Sequence, residues 1–212
     1  VNIGGREIRS WKKAAPSMAA LVEQSREHGD TDFIIYGEER LSYLEHYRRV
    51  AAVASALVED LNVSKGDRVA IAMRNFPEWS IAFWATAAAG AVVVPLNAWW
   101  TRDELEYGLN DSGTTVVFVD EERLHRIQQI DSEIPLKHII TARCDPVSTD
   151  GITAIDSLWR NEKGQRDTLP RVPLTPEDNA TLFYTSGTTG FPKGTLGTHR
   201  NFCSAALTMP YS

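Results

Sequence analysis

The chain has 212 residues, of which 24% are charged and 42% are hydrophobic, with 14 Gly and 10 Pro. This composition is typical of a globular protein, and it excludes collagen, disulfide-rich scaffolds and disorder. The 28 acidic side chains outnumber the 22 basic ones and give a net charge of −6. No overall attraction to nucleic acid or anionic lipid is therefore expected, and we predict no nucleic-acid partner.

The two cysteines, Cys144 and Cys203, stand far apart in the chain. Their spacing matches no metal-binding pattern and makes no disulfide framework. We therefore predict two buried, inert thiols and a reducing compartment, the cytoplasm. The first six residues contain neither an apolar segment nor a cleavage site, so no signal peptide is expected.

A charge-free stretch between Glu78 and Arg102 is long enough to cross a bilayer. Its contents argue against a membrane span, because Gly90 and Pro95 divide it, alanine dominates its first half and β-branched residues follow. We predict a buried helix that ends at Gly90, then a buried strand over 91–95, and no transmembrane segment.

Capping signals mark the predicted helices. Ser42 and Glu45 have the spacing of a capping box, and apolar residues recur at helical intervals over 44–61. A short apolar strand over 68–73 follows a turn. The next helix carries Pro77 in its first turn, where a missing N–H costs nothing, and we predict Asn75 as its cap.

Thr101 and Glu104 form a second capping box, which predicts a helix that ends at Gly113. A strand over 115–119, a helix over 121–130 and a strand over 137–141 follow. Four strands thus alternate with helices between residues 68 and 141. Such alternation predicts an α/β fold with a mainly parallel sheet flanked by helices.

The rest of the chain divides into two regions. Residues 142–178 show little periodicity apart from a short helix over 155–159, and they collect four prolines. We predict that they connect two layers or subdomains. Residues 179–212 are predicted to form a strand, a glycine-rich loop, a second short strand and a helix that begins at His199, capped by Thr198.

The glycine-rich loop reads Thr185-Ser186-Gly187-Thr188-Thr189-Gly190-Phe191-Pro192-Lys193-Gly194. Glycine permits positive φ, so backbone N–H groups can converge on an anion, while hydroxyl groups and a lysine add donors and charge. The segment therefore predicts a polyphosphate site. The alternative is an ordinary flexible surface loop, which the succession of Thr-Ser-Gly-Thr-Thr-Gly and Pro-Lys-Gly disfavours.

The nucleoside-triphosphatase P-loop, G-x-x-x-x-G-K-[ST], does not fit in register. Counted from Gly187, its sixth position is Pro192 rather than Gly, and Lys193 is followed by Gly194 rather than by a hydroxyl residue that would bind Mg²⁺. Asp120, at the end of an apolar run, precedes the loop rather than following it, so we interpret it as an ordinary strand end.

The segment 184–194, with Thr198-His199-Arg200-Asn201 after it, resembles the signature loop of the adenylate-forming enzymes. This family includes acyl-CoA synthetases, firefly-type luciferases and peptide-synthetase adenylation domains. Segments at 41–45, 67–71, 90–97 and 104–113 resemble further family motifs, so the resemblance covers about 32–207. The segment at 90–97 is more similar to fatty-acid and aryl-acid CoA ligases than to peptide-synthetase domains.

The resemblance implies that ATP converts a carboxylic acid to an acyl-adenylate with release of pyrophosphate, after which coenzyme A accepts the acyl group. Mg²⁺ should accompany ATP. The implied ATP-binding residues are the hydroxyl donors Thr185, Ser186, Thr188 and Thr189, the glycines Gly187, Gly190 and Gly194, and the cation Lys193.

Three features of the family have no counterpart in these residues: the Tyr-Gly-x-Thr-Glu segment, the later ribose-binding Asp and the C-terminal domain with its catalytic Lys. We therefore expect residues 1–212 to be a partial N-terminal domain that contains no catalytic residue and is inactive alone. Two alternatives stay open: a non-catalytic nucleotide-binding or interaction module, and an adenylation domain from another branch of the family. The sequence predicts neither the acid nor the oligomeric state.

The remaining reactive side chains are assigned structural roles. The five histidines lack metal-ligand spacing, so no metal site is predicted, and His199 is expected to order the turn after the loop. Tyr184 is expected to pack at a strand end. Trp99 and Trp100 precede a helix cap, which favours packing or partner contact. The charged residues over 121–126 are interpreted as a solvated helix face.

Overall fold

The computed structural model describes residues 1–3, 5–145, 150–160, 167–185 and 191–208. The helices are α1 (Met18–Ser25), α2 (Tyr43–Glu59), α3 (Pro77–Ala88), α4 (Arg102–Ser112), α5 (Glu121–Gln128), α6 (Ile155–Trp159) and α7 (His199–Thr208), with a 3-10 turn at Arg26–His28. The strands are β1 (Asn2–Ile3), β2 (Arg6–Glu7), β3 (Asp32–Tyr36), β4 (Glu39–Ser42), β5 (Arg68–Ala72), β6 (Val92–Pro95), β7 (Val116–Asp120), β8 (His138–Ala142), β9 (Ile152–Ala154), β10 (Asn179–Thr185) and β11 (Lys193–Thr198).

Seven strands form one sheet in the order β11-β10-β6-β5-β7-β8-β9. β10 and β11 pair antiparallel, and every other neighbouring pair in this sheet is parallel. β1–β2 and β3–β4 form separate two-stranded sheets. The mainly parallel α/β fold predicted from the alternation of strands and helices is therefore confirmed.

The central strands separate two apolar cores, one on each face of the sheet. Along β5, Val69 and Ile71 belong to the core shared with α1, α2, α3, α6 and α7. Ala70 and Ala72 belong to the core shared with α4 and α5. Because helices cover both faces, nearly every position of the strand is apolar, which explains the continuous apolar run in the sequence.

Three of the predicted helix caps are confirmed. Thr198 Oγ1 accepts the N–H of Asn201 at 3.3 Å in the first turn of α7. Ser42 Oγ accepts the N–H of Glu45 at 3.2 Å, and α2 begins at Tyr43, the residue after Ser42. Thr101 and Glu104 form a reciprocal capping box at the start of α4. Gly113 ends that helix in the left-handed conformation, with φ 63°. Local sequence chemistry is sufficient to set these boundaries.

The predicted cap of α3 is wrong. Phe76, rather than Asn75, occupies the N-cap position, and no side-chain hydrogen bond caps this helix. Pro77 is the first helical residue; it restricts the preceding residue to extended backbone, and Phe76 adopts φ −85° and ψ 162°. The start of α3 therefore falls one residue later than a cap at Asn75 would place it.

The charge-free stretch forms α3 and β6, with Gly90 between them at φ 76°. This confirms the predicted helix, glycine stop and strand. Among the described residues, no helix is both long enough and apolar enough to cross a membrane.

Several elements of the structure were not predicted from the sequence. α1 begins at Met18, where Ser17 Oγ accepts the N–H of Ala20 at 3.2 Å, and the β3–β4 hairpin precedes α2. In the predicted connection the helix Ile155–Trp159 is confirmed, but Ile152–Ala154 forms β9 and pairs parallel to β8. A strand of three residues is too short to show a period, so part of the predicted connection is the edge of the sheet.

Candidate functional site

The glycine-rich segment joins the two strands of a hairpin at the carboxyl edge of the sheet. β10 runs parallel to β6, with Thr181 opposite Val93, so it ends at the same edge as the other parallel strands. β11 returns antiparallel, and Thr185 pairs with Lys193 where the hairpin opens. Ligands of open α/β sheets bind outside this edge. Both described ends of the loop therefore lie where a ligand site is expected.

Three of the eight predicted site residues are described, and the structure brings them together. Thr185 and Lys193 are exposed, and the Thr185 hydroxyl lies 3.5 Å from the carbonyl oxygen of Lys193. Gly194 follows and pairs with Tyr184. The other five predicted residues lie outside the described residues; they are Ser186, Gly187, Thr188, Thr189 and Gly190.

Gly194 allows close packing within the hairpin. A Cβ at this position would lie 2.9 Å from Cδ1 of Leu182 and 3.6 Å from Cε1 of Tyr184. The first of these distances is shorter than real Cβ contacts, so Leu182 occupies space that any side chain at 194 would need. The glycine thus lets two side chains of β10 lie directly against β11.

α4 contacts two residues near the C-terminal end of the loop. The hydroxyl of Tyr107 donates a hydrogen bond to the carbonyl oxygen of Pro192 at 3.1 Å. The ring of Tyr107 stacks on Phe191, with ring centroids 4.8 Å apart. An aromatic contact and a backbone hydrogen bond together fix this end of the loop to the helix.

The same helix contacts the residue that precedes the loop. The hydroxyl of Tyr184 donates to Oδ2 of Asp111 at 2.6 Å. Burial and the Asp111 carboxylate both raise the pKa of Tyr184 above its ordinary value, so the hydroxyl stays protonated and available as a donor. The prediction that Tyr184 packs at a strand end is confirmed.

Tyr107 and Asp111 were not among the predicted site residues. They are four residues apart on α4, so they share one face of that helix. A tyrosine and an acid at this spacing, in a helix that resembles a family motif, is the signal that could have identified them. Their contacts show that α4 supports both ends of the loop.

Trp100 packs beside this support. It is 8% exposed, and its ring meets that of Tyr184 edge to face at 5.8 Å. A Cβ at Gly108 would lie 2.7 Å from Cζ3 of Trp100, so the glycine lets the indole rest against α4. Packing is confirmed for Trp100, whereas Trp99 is 67% exposed, with the guanidinium of Arg74 4.5 Å from its ring centroid.

Asp120 is structural, as the interpretation of a strand end predicts. Its carboxylate accepts the backbone N–H groups of Arg74, at 2.9 Å, and of Arg123, at 3.1 Å, and the second bond caps α5. It also forms an ion pair with the Arg123 guanidinium at 3.1 Å. Both oxygens are engaged by the protein itself.

The prediction of a solvated face over 121–126 is wrong for Arg123. Its side chain is 1% exposed. Besides its bonds to Asp120, its Nε donates to the carbonyl oxygen of Ala98 at 2.6 Å. The carboxylate and the loop carbonyl compensate for part of the lost hydration, while Nη2 has no hydrogen-bond partner among the described residues. The charge pattern of the helix does not reveal these partners.

The two described histidines that are buried have structural partners. Nε2 of His46 lies 3.0 Å from the hydroxyl of Ser80. Nδ1 of His199 accepts the backbone N–H of Met18 at 3.2 Å, so this hydrogen bond orders the start of α1 rather than the turn after the loop. The described part of the chain contains no group of three or more His, Cys, Asp or Glu that could bind a metal ion.

The prediction of two buried thiols is right for Cys203 and wrong for Cys144, which is half-buried. Cys144 lies two residues beyond β8 and packs at the margin of the core shared with α4 and α5. Burial raises the pKa of both thiols to about 11. A neutral thiol is a poor nucleophile, so both side chains are inert at pH 7.

Comparison with known proteins identifies relatives over most of the chain. Long-chain-fatty-acid–CoA ligase of Escherichia coli O6:H1 is 30% identical over 207 residues, which covers 87% of this chain and 37% of that protein. Long-chain-fatty-acid–CoA ligase FadD13 of Mycobacterium tuberculosis is 34% identical over 207 residues, which covers 97% of this chain and 36% of that protein.

A solved structure of a related enzyme also matches most of the chain. The anthranilate CoA ligase AuaEII in complex with anthranoyl-AMP superposes with a TM-score of 0.81 at 26% identity, covering 92% of this chain and 36% of that one. The chain therefore spans little more than a third of the length of these relatives. The family described as AMP-binding enzyme matches residues 21–211. The chain therefore belongs to the AMP-binding family, the adenylate-forming enzymes that its glycine-rich loop resembles.

Proposed function

We propose that this chain is the N-terminal part of an AMP-forming acid–CoA ligase. In that reaction a carboxylate attacks the α-phosphorus of ATP, the bond to pyrophosphate breaks and an acyl-adenylate forms. The thiol of coenzyme A then displaces AMP. The hairpin that brings Thr185, Lys193 and Gly194 to the carboxyl edge of the sheet carries this proposal. The names of the relatives, and the anthranoyl-AMP in one related structure, support it.

The loop is proposed to stabilise the departing pyrophosphate. Attack at the α-phosphorus builds negative charge on the leaving group, so donors and a cation near the β- and γ-phosphates lower the barrier. Lys193 supplies the cation and Thr185 a hydroxyl, since both are exposed where the hairpin opens. The further donors proposed from the resemblance are Ser186, Thr188 and Thr189 through hydroxyl groups, and Gly187, Gly190 and Gly194 through the backbone.

The partners of the complete enzyme are proposed on the same basis. They are a carboxylic acid, ATP and coenzyme A, with a fatty acid favoured by the names of two relatives. Mg²⁺ is proposed to enter with ATP; the described residues offer no cluster of ligands for it, so no step is assigned to a metal held by this chain. Both cysteines are free, which supports the proposed reducing, cytoplasmic location.

Residues 1–212 alone are proposed to form a partial N-terminal domain that does not catalyse adenylation. The motifs that contact adenine and ribose in the family are missing from this sequence, as is the catalytic Lys. Acid-dependent ATP–pyrophosphate exchange by the isolated 212 residues would contradict this part of the proposal.

The test of function is acid-dependent ATP–pyrophosphate exchange by the full-length protein, with short, long and aromatic acids. We expect exchange with at least one class of acid. In Lys193→Ala the rate of the first step should fall about 100-fold, as when one preorganised donor to developing charge is removed. An unchanged rate would exclude the role given to Lys193.

Lys137→Ala is the matched control. Lys137 is also an exposed lysine, but it precedes β8 and so lies at the amino edge of the sheet, opposite the loop. Its removal should leave the exchange rate unchanged. ATP binding by the full-length protein without exchange for any acid would favour a non-catalytic nucleotide-binding module.

A further inference from the structure

The first residues of α7 join segments that are distant in the sequence. The backbone N–H of His199 donates to the carbonyl oxygen of Asp178 at 3.1 Å, and that of Arg200 donates to Pro176 at 2.8 Å. These bonds connect the end of β11 to the segment that leads into β10. The base of the β10–β11 hairpin is therefore closed by backbone hydrogen bonds.

The side chain of His199 extends this junction to α1. Its Nδ1 accepts the N–H of Met18, the first residue of α1, at 3.2 Å, and both residues are fully buried. An N–H in the first turn of a helix has no acceptor within that helix, so the imidazole supplies one. Among the described residues, Nε2 of the same ring has no hydrogen-bond partner.

The charge state of His199 suits this role. An acceptor at Nδ1 requires the neutral ring, with its proton on Nε2. Burial lowers the pKa of His199, so the ring is neutral at physiological pH. The hydrogen bond to Met18 is therefore available under the conditions in which the protein works.

Arg200 adds a second link to the N-terminal segment. Its Nη1 donates to Oγ of Ser10 at 3.1 Å, and its guanidinium pairs with Glu177. The start of α7 is thus bonded both to residues that precede α1 and to residues that precede β10. Two adjacent side chains make these contacts, one buried and one partly exposed.

β11 is the edge strand of the sheet, so the links at its His199 end add to its pairing with β10 and to the Tyr107 contact near Lys193. Among the described strands it pairs with β10 alone, and it leads directly from Lys193 to His199. Lys193 and the residue before His199 are the two ends of this six-residue strand. A change in how α7 docks on α1 should therefore displace Lys193.

We propose that His199 is a positioning residue for the phosphate-binding hairpin: by accepting the Met18 N–H it fixes the orientation of β11 and so the placement of Lys193. The consequence for ATP rests on the proposed function of Lys193. The mechanical link between α1 and β11 does not depend on that function.

The experiment compares three variants of the full-length protein. His199→Leu removes the acceptor, whereas in His199→Asn the amide oxygen takes a position near that of Nδ1. Cys203→Ala is the control for an overall loss of stability. Cys203 is fully buried on the same helix and has no part in the hydrogen bond to Met18. All three are measured by hydrogen exchange of the β11 amides and by the KM for ATP in pyrophosphate exchange.

In His199→Leu we expect the β11 amides to exchange about 5- to 10-fold faster and the KM for ATP to rise by a similar factor, as the loss of one buried hydrogen bond allows. In His199→Asn both values should return to within about twofold of wild type, since the acceptor is restored. Cys203→Ala should lower the melting temperature without changing either value.

Three outcomes would each overturn the link between α1 and β11. The β11 amides of His199→Leu could exchange hydrogen at the wild-type rate, His199→Asn could fail to restore that rate, or Cys203→Ala could accelerate the exchange as much as His199→Leu does. Faster exchange with an unchanged KM would overturn the placement of Lys193 by that link. If the wild-type protein showed no ATP–pyrophosphate exchange, the proposed function would be refuted instead. Amide hydrogen exchange of β11 would still test the mechanical link.

Discussion

Tyr107 and Pro192 join α4 to the end of the glycine-rich loop: the phenol hydroxyl donates to the proline carbonyl oxygen at 3.1 Å. The same ring stacks on Phe191, with centroids 4.8 Å apart. One side chain thus contributes both a hydrogen bond and an aromatic contact, and these contributions can be separated by substitution.

Tyr107→Phe removes only the hydrogen bond, so we expect the KM for ATP to rise about 2- to 5-fold. Tyr107→Ala also removes the stack on Phe191, and the KM should rise about 10-fold. Both values are measured by pyrophosphate exchange in the full-length protein. Tyr43→Phe, at another half-buried tyrosine that begins α2, is the control and should show no change. A wild-type KM in Tyr107→Ala would contradict this role.

Asp111 and Tyr184 should be coupled in stability. Tyr184→Phe and Asp111→Ala each break a hydrogen bond of 2.6 Å between α4 and β10. The double variant should therefore be more stable than the sum of the single losses predicts, with a coupling of about 1 kcal/mol. The measurement is urea unfolding of the four proteins. Strict additivity would show that the contact contributes nothing.

His46 should make stability depend on pH. Burial, with a smaller contribution from Arg49, lowers the pKa of His46 to about 4. In the unfolded chain a histidine titrates near 6.5, so below that pH the unfolded state binds a proton that the folded state does not. The free energy of unfolding should fall by about 3 kcal/mol from this residue between pH 6.5 and 4, and no further below.

The check is urea unfolding at several pH values for wild type and His46→Gln, whose amide keeps a polar group near Ser80 but does not titrate. The variant should show a shallower decline between pH 6.5 and 4. Burial also lowers the pKa of His199. His199 contributes the same pH dependence of the free energy of unfolding to both proteins, so its contribution cancels in the comparison. Identical pH dependence of the two proteins would show that His46 is not the titrating group.

Gly108→Ala should destabilise the protein although alanine is the better helix former. The new Cβ would lie 2.7 Å from Trp100 and 3.2 Å from Leu96, both in the core beside α4. Such overpacking costs about 1–3 kcal/mol, which exceeds the gain of up to about 1 kcal/mol from helix propensity. Adding Trp100→Phe should relieve part of the loss. Net stabilisation by Gly108→Ala, measured by urea unfolding, would contradict the close contact.

The sequence by itself determined the features that depend on neighbouring residues. The capping box at Thr101, the glycine stop at Gly90 and the continuous apolar strands are local patterns, and each predicts an element that the structure confirms. The glycine-rich loop also lies within one segment, so its resemblance to the adenylate-forming family could be recognised before the fold was known. The same locality explains why the mainly parallel sheet was predictable from alternating elements.

Only the tertiary structure decided which distant residues meet. Tyr107 and Pro192 are 85 positions apart, and Met18 and His199 are 181 apart, so no sequence period connects them. Arg123 has the pattern of a solvated helix residue, yet the loop after β6 and the end of β7 enclose it. Burial and hydrogen-bond partners are set by how layers pack across the sheet. The supports of the loop, unlike the loop itself, therefore become visible only in three dimensions.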